Sequence, residues 1–148
     1  MQDSYRNIYY NARHAAGLTQ ERWAEVIGVS VEAVRQYETD RITPSDEIAD
    51  RMADVAGVPA LRYWHLQHKS RLADGILPTV EVLPLPQAVC QLLARMNDFQ
   101  RRHQALLQIA SDGRVDEMEK QIYGKTMDEL GEVVQAAIQL IYAEGGSL

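Results

Sequence analysis

A single cysteine in 148 residues leaves no internal disulfide framework, which points to a reducing compartment. No apolar run approaches the roughly 20 residues that a membrane span requires. Residues 1–20 carry Asp3, Arg6, Asn7 and Arg13 and no apolar centre, so no secretory signal is read there. Together these absences lead to the expectation of a cytoplasmic protein. Low-complexity tracts and internal repeats are also missing, and 46% hydrophobic with 24% charged residues rules out a disordered chain. The length fits one domain or two small ones. Positive charge is scarce as well, with a formal net charge of −6. Residues 1–74 contribute −2 and residues 75–148 contribute −4, so bulk electrostatics neither supports nor excludes a nucleic-acid partner.

What is present is clear punctuation. Gly17, Gly28 and Gly57 each follow a short helical periodicity, as helix-ending glycines do. Thr19, Ser30 and Ser45 stand where N-caps belong. These signals predict helices over 4–16, 20–27, 31–38, 45–56 and 60–72. Pro78, Pro84 and Pro86 then deny a helix to their stretch, while Val80 and Val82 favour an extended path. Two long helices are predicted beyond it, 87–110 and 116–143, joined at Ser111–Val115. The expectation is an all-α chain. Residues 1–73 form a five-helix domain, 74–86 a proline-rich linker, and 87–148 a two-helix hairpin for oligomerisation.

Residues 19–38 are the most informative. Ala24 is small enough for two helices to cross closely, and Gly28 tolerates the positive φ of a tight turn. Trp23, Ile27, Val34 and Tyr37 fall at inward spacings. On the helix over 31–38, Ala33, Val34 and Tyr37 share one side, and Val31, Glu32, Arg35 and Gln36 share the other. A packed rear and a polar front on a helix presented by a tight turn suit a recognition helix.

The elements Gly17-Leu18-Thr19-Gln20, Ala24, Gly28-Val29-Ser30, Val34, Tyr37-Glu38, Pro44-Ser45, Ile48-Ala49, Met52-Ala53 and Ala56-Gly57-Val58-Pro59 carry a family resemblance. Through them residues 5–66 resemble the helix-turn-helix domain of the phage lambda-type repressor and Cro family, the Xre-like regulators. The resemblance implies a five-helix DNA-binding fold and a pair between Arg13 in the first helix and Glu38 ending the third. It also implies a phosphate contact at Gln20, which the positive end of a helix dipole favours. Ser30 and Arg41 are the other phosphate candidates. For base contacts, Arg35 suits a guanine edge, Glu32 a cytosine amino group and Val31 a thymine methyl, with Gln36 beside them. One departure is Thr39-Asp40-Arg41, where the family usually carries a glycine before the basic residue.

The C-terminal half supplies a second signal. Val89, Leu92, Met96, Phe99, His103, Leu106 and Ala110 alternate at three and four residues, as do Met127, Leu130, Val134, Ala137 and Ile141. Such heptad seams pack helices side by side. Leu93, Leu107, Val133, Ile138 and Leu140 widen the apolar surface beyond what one hairpin buries, so a homodimer through a four-helix arrangement is expected. Folding of the hairpin onto the N-terminal domain is the competing reading. Asp116 with Glu119 has the spacing of a capping box. This half resembles hairpins of phage-like Xre regulators only loosely.

Other chemistry is thin. His65 and His68 stand three apart without a second ligand pair, and Asp112–Asp116 lacks the oxygens of a calcium loop, so no metal is expected. Cys90 reads as a buried small hydrophobe. No nucleophile–base pair and no phosphate loop occurs, so neither an enzyme nor a cofactor is expected. The expected partners are double-stranded DNA and a second copy, with no membrane; any regulatory protein partner stays open. The reading is a sequence-specific regulator, most simply a repressor. The alternative is an antirepressor or antitoxin-like protein-interaction module on the same scaffold.

Overall fold

The computed structural model describes residues 7–145, whose regular elements are all helices, without a strand. They fall into two compact units, Met1–Leu77 and Pro78–Leu148. None of the helices described is long and apolar enough to cross a membrane.

The N-terminal unit contains α1 (Ile8–Ala15), α2 (Gln20–Ile27), α3 (Val31–Glu38), α4 (Asp46–Ala56) and α5 (Ala60–Lys69). Positions 4–6 of the first predicted helix lie outside the described residues. Local chemistry starts each of the first four helices. Asn7, Thr19, Ser30 and Ser45 use their side-chain oxygens to accept from the amides of Tyr10, Arg22, Ala33 and Ile48, at 3.0 to 3.4 Å. The helices close on a core of Tyr9, Ala12, Trp23, Ala24, Ile27, Val34, Met52, Ala53 and Leu61. Each large side chain fully removed from water there contributes about 1.5–3 kcal/mol. The fifth helix stops at Lys69 and does not continue to 72. Ser70 is extended and its hydroxyl accepts from the Leu72 amide, which withdraws that amide from the helix. A short 3₁₀ turn over Ala73–Gly75 follows.

The C-terminal unit contains α6 (Leu85–Gln100), α7 (His103–Ile109) and α8 (Lys120–Ile141). The predicted helix 87–110 is thus two helices. Amides of Arg101 and Arg102 bond three residues back, to Asp98 and Phe99, which tightens the backbone and ends α6. Arg102 pairs there with Glu129 of α8 at 3.1 Å. α6 and α8 run antiparallel: Leu85 bonds Glu144 at one end, Arg95 pairs with Glu132 midway at 2.8 Å, and Arg102 meets Glu129 at the other. Before α8, Asp116 accepts from the Glu119 amide and Glu119 accepts from the Asp116 amide, the reciprocal bonds of a capping box.

The proline-rich stretch, too apolar in sequence to be a free tether, is anchored at several points. From Pro78 onward it belongs to the C-terminal unit, because its carbonyls find donors there. Thr79 O accepts from Gln135 Nε2 at 2.6 Å, and Leu83 O accepts from the Glu144 amide at 2.9 Å.

The heptad positions divide into two stripes. Ala88 is fully buried, and Leu92, Phe99 and Leu106 are half-buried, whereas Val89, Leu93 and Met96 are 37%, 60% and 51% exposed. On α8, Thr126 and Ala136 are buried and Val133 and Leu140 half-buried, while Tyr123, Leu130, Val134 and Ile141 are exposed and Met127 is half-buried. Each exposed stripe lies about 100° round its helix from the facing one, in the sense of rising residue number. In an antiparallel pair that rotation carries both to the same side, so the two stripes form one apolar face. Cys90 is exposed rather than buried. It follows the buried Ala88 by two residues, which turns it away from α8.

Candidate nucleic-acid interface

The turn between α2 and α3 is set by Gly28, which ends α2 with φ 74° and ψ 41°. A side chain there would be strained, and its Cβ would lie 3.0 Å from Arg51 Nη1 of α4. Arg51 was not singled out by the sequence, since nothing local links it to the turn.

Behind α3, Val34 is fully buried and Glu38 is 5% exposed. Glu38 takes a two-pronged pair from Arg13 of α1, Nε to Oε1 at 2.5 Å and Nη2 to Oε2 at 3.1 Å. Arg13 also donates from Nη1 to Leu18 O at 2.8 Å, and its guanidinium lies 5.2 Å over the Tyr10 ring. The Glu38 hydrogen bond holds Arg13 above the ordinary arginine range. The pairing implied by the family resemblance is therefore present as geometry, and it locks the rear of α3 to α1.

In front, Glu32 and Arg35 are exposed, and Val31 and Gln36 are half-buried. Glu32 stays exposed but has polar partners on its own helix, with Arg35 Nη1 at 3.7 Å and Gln36 Nε2 donating at 3.3 Å. Gln20 stands differently from a free phosphate ligand. Its Nε2 donates to Glu38 Oε2 at 2.9 Å, and its Oε1 accepts from Arg35 Nε at 3.4 Å. A chain thus runs from Arg13 through Glu38 and Gln20 to Arg35. At the same helix start, the Glu21 carboxyl is held below the usual carboxylate range by its own backbone amide and by Thr19. A phosphate approaching α2 meets that acid. Ser30 accepts the Ala33 amide on one of its lone pairs, and its exposed hydroxyl keeps a proton to donate.

Arg41 is exposed on the loop after α3. Asp40, where a glycine was expected by resemblance, adopts φ 54° and supplies the left-handed residue itself. The Arg41 amide then reaches back to Gln36 O at 3.0 Å, closing α3 as a glycine would. The two histidines of α5 point to separate partners. His65 lies between Tyr9 Oη at 2.9 Å and Asp46 Oδ1 at 3.0 Å, and His68 Nε2 lies 2.9 Å from Asp40 Oδ1. Burial pushes the Tyr9 hydroxyl well above the usual tyrosine range.

The comparisons agree with this geometry. Residues 10–61 match the family model described as Helix-turn-helix, HTH_3. No curated protein matches the chain, and no solved structure does. The matched span runs from α1 into the start of α5 and contains the α2–turn–α3 motif with its Arg13–Glu38 lock. Residues 10–61 are therefore similar to the helix-turn-helix domain of Xre-like, lambda-repressor-like regulators.

Proposed function

We infer that the protein is a sequence-specific transcriptional regulator of the cytoplasm. It acts as a repressor by occluding a promoter, and it binds as a homodimer to an operator with approximate two-fold symmetry. The observation that carries this reading is α3 itself. Its rear is locked by Val34 and the Arg13–Glu38 pair, and its front presents Glu32, Arg35 and Gln36 to solvent. Arg35 reads a base edge, held in aim by Gln20. Val31 adds an apolar contact, and Ser30 and Arg41 hold the backbone. The role is binding, and no catalytic step is assigned.

Affinity for random-sequence duplex is expected to fall steeply between about 50 and 200 mM salt, as phosphate contacts dictate. Arg35→Ala is expected to weaken operator binding by about 1–3 kcal/mol and to relax preference at one base position. Arg41→Ala is expected to weaken all sequences alike, because phosphate contacts carry no base information. Selection of sites from a random oligonucleotide pool with wild type and both variants separates these effects. Absence of binding at low salt would instead favour a protein-interaction module, a role consistent with the acidic balance and with Glu21 at the α2 start.

A further inference from the structure

Asp40 is the one non-glycine residue among those described whose backbone is left-handed. Aspartate tolerates that region better than most residues, but glycine does so at no steric cost. What the carboxylate adds is a set of long-range bonds. Its Oδ1 accepts from Asn7 Nδ2 at 2.6 Å and lies 2.9 Å from His68 Nε2. The same Asn7 Nδ2 donates to Tyr37 O at 2.5 Å, while Asn7 Oδ1 caps α1. Asn7 is 4% exposed, so its amide is fixed by packing. His68 stands edge-on to the Tyr9 ring, with centroids 5.6 Å apart. One oxygen therefore ties the start of α1, the end of α3 and α5 together. The next two amides, of Arg41 and Ile42, close back on Gln36 O at 3.0 and 3.3 Å.

We propose that Asp40 is a positioning residue that clamps the α3–α4 loop to α1 and α5 and so presents Arg41 to a DNA phosphate. The clamp stands on these distances alone; the phosphate rests on the DNA-binding reading above. A glycine would allow the same turn with no tether. A bare carboxylate beside a phosphate contact would repel the nucleic acid, and the N–H donors on Oδ1 draw that charge back into the protein.

The test uses the full chain and two substitutions that both tolerate the left-handed backbone. Asp40→Asn keeps an acceptor oxygen, and Asp40→Gly removes it. Amide hydrogen exchange is measured at Arg41 and Ile42, and affinity for random-sequence duplex is measured across a salt series. In Asp40→Gly, exchange at both amides is expected to quicken about tenfold. Duplex affinity is expected to drop about three- to tenfold, with a salt slope shallower by about one ion. Asp40→Asn is expected to stay near wild type in both measurements. Unchanged exchange in Asp40→Gly overturns the clamp. Faster exchange with undiminished affinity overturns its service to Arg41. Tighter binding by both variants makes repulsion the whole effect and overturns the proposal. If wild type binds no duplex even at low salt, the DNA-binding reading fails, and the exchange comparison alone upholds or overturns the clamp.

Discussion

Leu130→Lys combined with Val134→Lys is expected to convert the proposed dimer to monomer while both units remain folded. The two side chains are 36% and 44% exposed in the single chain, so lysines there meet water and not a core. They lie on the apolar face that α8 shares with Val89, Leu93 and Met96 of α6. Burying that face against a second copy removes the apolar surface from water; two opposed pairs of charges would prevent it. One recognition helix offers only three or four base contacts, too few to select a site among the competitors in a genome. Two linked copies gain the second half-site by proximity. Operator affinity of the double variant is accordingly expected to fall by about 10²- to 10⁴-fold, with weak non-specific binding retained. Light scattering reads the mass, and circular dichroism reads the retained helix. A dimer that survives the two lysines would move the interface off this face.

Breaking the lock behind α3 is expected to cost the N-terminal unit about 3 kcal/mol, near the lower end for a buried pair that loses one partner. Arg13 and Glu38 are 8% and 5% exposed, so either charge left alone stays largely out of water. Arg13→Met strands the Glu38 carboxylate with Gln20 Nε2 as its remaining donor, and Glu38→Leu strands the guanidinium with Leu18 O. The double variant Arg13→Met with Glu38→Leu removes both charges and is expected to be more stable than either single variant. Urea denaturation of the four proteins, each fitted for its midpoint and slope, supplies the cycle. Single losses equal to or smaller than that of the double variant would show that the pair adds nothing beyond its packing.

Much of the N-terminal unit was legible because its signals are local. A hydroxyl at Thr19, Ser30 or Ser45 captures an amide three residues on, and Gly28 turns the chain where α2 ends. Such contacts depend only on neighbours along the chain, so pattern suffices to find them. The Arg13–Glu38 pair spans 25 residues, and its partners were matched only through resemblance to a family. Asn7 fell inside the helix predicted over 4–16, so its cap on α1 was missed, and nothing in the sequence ties its amide to Asp40, 33 residues away.

The sequence by itself determined the helical class, the α2–turn–α3 motif, the polar front of α3 and the apolar excess of the C-terminal half. Tertiary structure alone decided where helices stop when no proline or glycine marks the place, as at Arg101 and Arg102. It decided that the proline-rich stretch joins the C-terminal unit, that Cys90 faces water, and that the heptad pattern divides into a packed stripe and an exposed one. It also decided that Gln20 spends its amide inside the protein, and that Asp40 answers to Asn7 and His68. The physical reason is common to all of these. Helical periodicity specifies which residues share a face, but which face meets a neighbour, and which polar atom is thereby satisfied, depends on groups brought together only when the chain folds.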